Sequence, residues 1–458
     1  MESNDQSEFD LSKYNANCET GFMLNNPLKS LPAYFKPWND LATSLPVLVK
    51  QKTLRTAVEQ LPLLDPSQLV GHHQLRLAHL QLSLITAGYI WQDGDQGMPK
   101  VLPRTIAIPY CNISKQLGVQ PILAHVDLAL ANWSLIDPNG PFNFENLECL
   151  YHLPGERGGD WFCIVTFMVE LSFAKCLKSV ERILNLVGSS KKHGVGETIH
   201  EEKTEEEIAK CLLDVSKAMK AMEDSLSRMR DQLDAKLFFN VIRPFLGGWG
   251  GESSPLPDGL IYEGVSDTPV KLTGGSAAQS TTLQVLDAFL GVKHTQEKRE
   301  FLVRMRDFMP PEHKHLIEYL EQLPYSLRDF VTSSCNESLK SCYNHSLSAL
   351  VSLRDYHIKI VKMYVILPAR KANEGNYQSL DKKGTGGTSL LPFLKDIWSD
   401  TSDKLLPVNL RSSDVTRNGN NRTGITLSLL VAALALVTVG FATRSTTRIW
   451  TLLPWQRK

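Results

Sequence analysis

The segment Ala349–Val361, ALVSLRDYHIKIV, carries a single histidine, His357, on the helical face shared by Leu347, Leu350, Val351, Arg354, Ile358 and Val361. A neutral imidazole on an apolar face keeps a lone pair for a transition metal and is a good axial ligand for haem iron. Earlier in the chain, Gly274–Ser280 reads GGSAAQS and has almost no side-chain bulk, so a backbone there can lie close to a flat ligand. The two segments together suit a haem pocket. Each also has a plainer reading, a core histidine satisfied by a carbonyl and a tight turn. Arg354 shares the apolar face and needs a partner, for which Asp287, on the helix after GGSAAQS, is the candidate.

The segment KLFFNVIRPF places Phe238, Phe239 and Arg243 together, with Phe239 and Arg243 four residues apart. An arginine can grip a carboxylate bidentately while a ring contacts a flat substrate. A snorkelling arginine on an amphipathic helix fits the same pattern, and Pro244 should disfavour ordinary helix at Arg243. GTGGT (Gly384, Thr385, Gly386, Gly387, Thr388) reads either as a lid with glycine hinges or as a polar linker. GGSAAQS is no phosphate loop, since no Gly-Lys-Ser/Thr follows, and Cys335, Cys342 and His345 lack zinc-ligand spacing.

Helical spacing governs the elements that must hold these groups. It predicts helices over residues 45–61 and 74–91, then longer ones over 161–187, 205–239, 281–290, 297–308 and 346–367, the last stopped by Pro368, with a loop at 188–203. No strand–helix alternation suggests a dinucleotide fold. The expected class is all-α, with a small helical domain at 1–155, a large helical domain at 156–398, a flexible linker at 399–422 and a short basic tail at 444–458. Between the last two, residues 423–443 carry no charge over 21 residues, enough at about 1.5 Å each to cross a hydrocarbon core of roughly 30 Å. That run predicts a C-terminal transmembrane helix, a tail anchor leaving the body in the cytosol, with the mitochondrial outer membrane or the endoplasmic reticulum as host. Lys plus Arg equals Asp plus Glu at 49 each, which removes any global electrostatic reason to expect nucleic acid. The eight cysteines are scattered and read as reduced thiols.

Over roughly residues 10–398 the chain resembles the indoleamine 2,3-dioxygenase family. The matching segments include GFMLNNPL, VLPRTIAIPYC, LALANW, FFNVIRPFLGGW, DGLIYEGV, GGSAAQSTTLQVLDAFLGV, ALVSLRDYHIKIV, YVILPA and KGTGGT. The resemblance implies a two-domain helical fold and haem b bound through His357, with Gly274, Gly275, Ser276 and Ala277 lining its pocket and Arg354 and Asp287 supporting the proximal side. It further implies that Phe238, Phe239 and Arg243 face the substrate, that GTGGT closes over it, and that Ser276 is a hydrogen-bond donor. The implied reaction inserts O2 across the C2–C3 bond of the indole of L-tryptophan, or of related indoleamines, giving N-formylkynurenine; an electron donor keeps the iron ferrous. His125 stands where vertebrate members carry tyrosine, and Cys163 and Thr166 stand where they carry phenylalanine and serine. Those departures predict an altered distal pocket that weakens tryptophan binding more than haem binding. They also motivate a second reading, a haem protein that binds or senses O2 without oxidising tryptophan, while the uncharged run at 423–443 motivates a third, a membrane-tethered interaction protein.

Overall fold

Apolar residues at helical spacing form helices through most of the described residues, most of them burying one stripe. The computed structural model describes residues 8–94, 97–190, 198–251, 254–373 and 390–408. In the N-terminal part the helix Gly71–Trp91 is buried all round from Arg76 onward, and Lys36–Lys50 and Arg104–Leu117 pack against it. Further along, Glu156–Ala174 packs on Thr198–Ser227, and Thr198–Ser227 packs on Glu337–Val361. The described strands are two or three residues long and form two small pairs: Val101–Leu102 lies parallel to Ile261–Tyr262, and Trp133–Leu135 antiparallel to Leu147–Cys149.

No helix among the described residues is long and apolar enough to cross a membrane. This corrects the expected fold class, an all-α body with a C-terminal transmembrane helix, and with it the expected tail-anchored localisation. The longest described helices, Thr198–Ser227 and Glu337–Val361, carry charges along their length, as helices do when one face meets water. Residues 423–443, on which the anchor rested, and the tail 444–458 lie outside the described residues. Ser399–Ser402, assigned to the linker from composition, belong to the helix Leu390–Ser402, and Thr401 is fully buried.

Pro244, expected to disfavour ordinary helix at Arg243, follows a π turn, and Pro368, expected to stop its helix, is absorbed in the same way. A π-helical turn at Phe238–Ile242 leads into Arg243–Phe245, which contains Pro244, and a second at Lys362–Ile366 leads into Leu367–Asn373, which contains Pro368. The wider turn moves the hydrogen-bond register, so the missing N–H and the bulk of each ring are accommodated without ending the helix. In the first turn the Arg243 N–H donates to the Phe238 carbonyl, five residues back. Side chains five apart therefore share a face there, which ordinary helix would not give.

Gly274 serves the fold. A Cβ on it would lie 2.2 Å from the Leu246 carbonyl oxygen and 2.5 Å from the Gly248 nitrogen, so two backbone segments meet where any side chain would intrude. Gly274→Ala should therefore lower stability by about 2–3 kcal/mol, measured as a shift in the denaturation midpoint.

Candidate functional site

Several elements bring the chemically capable residues to one cavity of about 350 Å³. The helix Glu337–Val361 contributes Arg354 and His357; the loop and the helix Thr281–Phe289 contribute Gly275, Ser276, Ala277 and Asp287; the π turn contributes Phe238, with Arg243 just after it. The helix Glu156–Ala174 adds Phe162, Thr166 and Glu170, and His125 comes from the short helix His125–Leu128. Leu390, Phe393, Leu394 and Ile397 line it from the helix Leu390–Ser402. Gly274 and Phe239 are absent from the lining: Gly274 packs on backbone, and the Phe239 ring lies 5.5 Å from the Arg243 guanidinium carbon, behind it. Cys163 is buried outside the lining as well. Gly384–Thr388 lie outside the described residues.

His357 faces the cavity with no hydrogen-bond partner among the described residues. Burial first, and the Arg354 charge second, push its pKa from 6.5 down to about 4, so the imidazole is neutral at physiological pH. A neutral, unpartnered imidazole against a largely apolar space is the donor a haem iron requires. The loop Gly275–Ala278 supplies wall with little bulk, and nothing among the described residues clusters His, Cys, Asp and Glu for a bare metal ion. The residues present fit a haem.

Arg354 is buried, and its Nη2 donates to both carboxylate oxygens of Asp287 at 2.6 and 2.7 Å, while its Nη1 bonds the Thr401 hydroxyl. Burial alone would raise the Asp287 carboxyl; Arg354 and His294 outweigh it and hold its pKa below the ordinary range. Sequence reasoning missed the continuation of this network. His294 Nε2 lies 3.1 Å from Asp287 and its Nδ1 lies 2.9 Å from Asp400, which also pairs with Lys298 at 2.8 Å. No local spacing advertises contacts between residues so far apart in the chain.

Glu170 was also missed, although a lone carboxylate inside the apolar run CIVTFMVELSFA was a visible signal. It is 3% exposed and accepts from His125 Nε2 at 2.9 Å, from the Ser280 hydroxyl at 3.0 Å and from Thr282. Burial would raise its pKa, yet these donors hold it below the ordinary value, so it is ionised. Gln279, 1% exposed, fixes the loop: its carbonyl accepts from the N–H groups of Ser276 and His125, and its amide donates to the Gly274 carbonyl. The Ser276 hydroxyl oxygen accepts from the Ala278 N–H, which leaves its own proton to donate. Thr166 donates its hydroxyl to the Cys163 carbonyl at 2.7 Å.

The His357 shift has a testable sign. Below pH 6.5 the unfolded chain takes up a proton that the native imidazole refuses until about pH 4, so the haem-free protein should lose stability as pH falls through that window. Denaturation midpoints across the window should show a shallower loss in His357→Phe.

Comparison with known proteins gives the family of the chain. The family model for indoleamine 2,3-dioxygenase matches residues 10–404. The chain is 39% identical over 404 residues to indoleamine 2,3-dioxygenase 1 of Rattus norvegicus, covering 86% of this chain and 96% of the relative. It is 40% identical over 395 residues to a myoglobin of Haliotis madaka, covering 86% and 98%. To indoleamine 2,3-dioxygenase 2 of Homo sapiens it is 39% identical over 403 residues, covering 86% and 95%. A neutral, cavity-facing histidine above a buried arginine–aspartate pair, within a match spanning most of the chain, establishes that this protein belongs to the indoleamine 2,3-dioxygenase family, haem-dependent oxidoreductases acting on tryptophan-type substrates.

Proposed function

We propose that the chain inserts both atoms of O2 across the C2–C3 bond of the L-tryptophan indole, giving N-formylkynurenine and so opening tryptophan catabolism. The observation that carries this reading is one apolar cavity holding a neutral His357, a buried Arg243 and the Phe238 ring. Haem b, when bound through His357, supplies the dioxygen and one-electron chemistry. The chain binds, orients and excludes water. Arg243, 3% exposed, takes the substrate carboxylate in a setting where charge-assisted hydrogen bonds are strong. Phe238, five residues back on the same face of the π turn, contacts the indole; its ring packs 5.3 Å from Phe162 and 5.8 Å from Tyr364.

The remaining roles follow from that placement. Ser276 has a hydroxyl proton to direct at the reacting atoms, and Thr166, its hydroxyl spent on the helix backbone, shapes the wall. Phe239 supports Arg243 from behind. Gly275 and Ala277 line the haem cleft, while Gly274 holds that loop in place. Arg354 and Asp287 keep the helix of His357 in position. Residues 1–155 and 156–398 act as a small and a large domain contributing to one cavity, and an external electron donor keeps the iron ferrous. A second reading, reversible O2 binding without tryptophan oxidation, is favoured by the likeness to a Haliotis myoglobin and by the polar His125–Glu170 pair in the wall.

The deciding experiment adds tryptophan anaerobically to the reduced, haem-loaded full chain, then oxygen, and measures N-formylkynurenine. The proposed activity predicts product and a Soret band, both lost in His357→Ala; a Soret band without product at saturating tryptophan supports the second reading. Arg243→Ala should weaken tryptophan binding by about a hundredfold, the worth of a charge-assisted bond, with haem content unchanged. Tryptophan titration of the variant checks it.

A further inference from the structure

The cavity face of the helix Glu156–Ala174 runs from Phe162 through Thr166 to Glu170, residues four apart on one stripe. Eight residues span about 12 Å along the axis. Phe162 marks the end where Phe238 and Arg243 lie, since its ring packs on Phe238; Glu170 and His125 mark the other. An aryl amino acid held by its carboxylate at Arg243, with its ring against Phe238 and Phe162, therefore points the far edge of that ring towards His125. Around His125 the lining is apolar at Ala124, Leu128, Ala129 and Val169, with Glu170 and Ser280 as its polar neighbours.

Glu170 dictates what His125 presents to that apolar end. The carboxylate already collects donors from Ser280 and Thr282, and as an ionised group it accepts from His125 Nε2. That bond puts an imidazole proton on Nε2, and the neutral ring with its proton there presents Nδ1 as an acceptor. No hydrogen bond reaches Nδ1 among the described residues, and Thr166 has turned its hydroxyl to the Cys163 carbonyl. An acceptor facing an apolar wall gains most from a ligand that brings a donor to it, and rejects one that buries it without a partner.

We propose that the His125–Glu170 pair is a specificity device that selects indole amino acids carrying a hydroxyl on the six-membered ring, with His125 Nδ1 accepting from that hydroxyl. The inference rests on the proposed indole dioxygenase reading. His125 touches the substrate, and Glu170 is a positioning residue that sets the tautomer.

The test compares equilibrium binding of 5-hydroxy-L-tryptophan and L-tryptophan to the haem-loaded full chain by calorimetry, alongside kcat/KM for both. The wild-type protein should bind the hydroxylated ligand about tenfold more tightly, the worth of one buried hydrogen bond. In His125→Phe that ratio should fall to about one, with the Soret band retained. Glu170→Gln should also lower the ratio, which a merely structural role for Glu170 would leave unmoved. A wild-type ratio near one, or a His125→Phe protein that loses affinity for both ligands equally, overturns the inference while leaving the dioxygenase reading intact. Failure to bind or oxidise either ligand, with haem loaded, overturns that reading and this inference with it.

Discussion

The buried pair of Arg354 and Asp287 is the constraint on which the site depends. Each charge would be costly alone in an apolar interior, and breaking such a pair by removing one partner typically costs about 3–5 kcal/mol. The pair is bidentate at 2.6 and 2.7 Å, and it joins the helix that carries His357 to the helix that follows the small-residue loop. Through Thr401, and through His294 to Asp400, the same cluster fastens the helix Leu390–Ser402. Three segments separated by long stretches of sequence are thus tied together within one helical turn of the imidazole.

That anchoring lets the rest of the cavity remain apolar. His357 stays neutral because burial, and then the positive charge of Arg354, disfavour its protonation, and a neutral imidazole is the form that ligates iron. Polar groups enter the wall at few places, and each of those described here is held. Arg243 stacks on Phe239, Ser276 caps its own turn, and Glu170 is surrounded by donors. A water-excluding pocket with fixed dipoles suits oxygen chemistry, since little reorganisation is needed when substrate enters.

Much of this was legible in the sequence wherever a periodic pattern forced it. An arginine and a histidine on one apolar helical face have to be paired or ligating, and Asp287 falls at a buried position of the helix after GGSAAQS. Features set by distant contacts were not legible. His294 and Asp400 become neighbours only through the packing of the last described helix, and Gln279 matters because the loop folds back onto it. Pro368 misled because composition marks it as a stop, whereas a π turn before it keeps the chain helical; the π turn before Pro244, a proline expected to disturb ordinary helix, brings Phe238 and Arg243 to one face. Gly274 misled differently: its missing side chain makes room for the backbone of Leu246 and Gly248 rather than for a ligand. The uncharged run at 423–443 pointed to a membrane span, but no helix among the described residues has that length and apolarity.

The most direct test of this account is a double-mutant cycle on Arg354 and Asp287, reading unfolding free energy and haem dissociation for Arg354→Met, Asp287→Asn and the double variant of the full chain. If the pair anchors the histidine helix, each single variant strands a buried group, and the coupling between them should reach about 2 kcal/mol or more. Additive losses, with haem dissociation unchanged in both single variants, would contradict it.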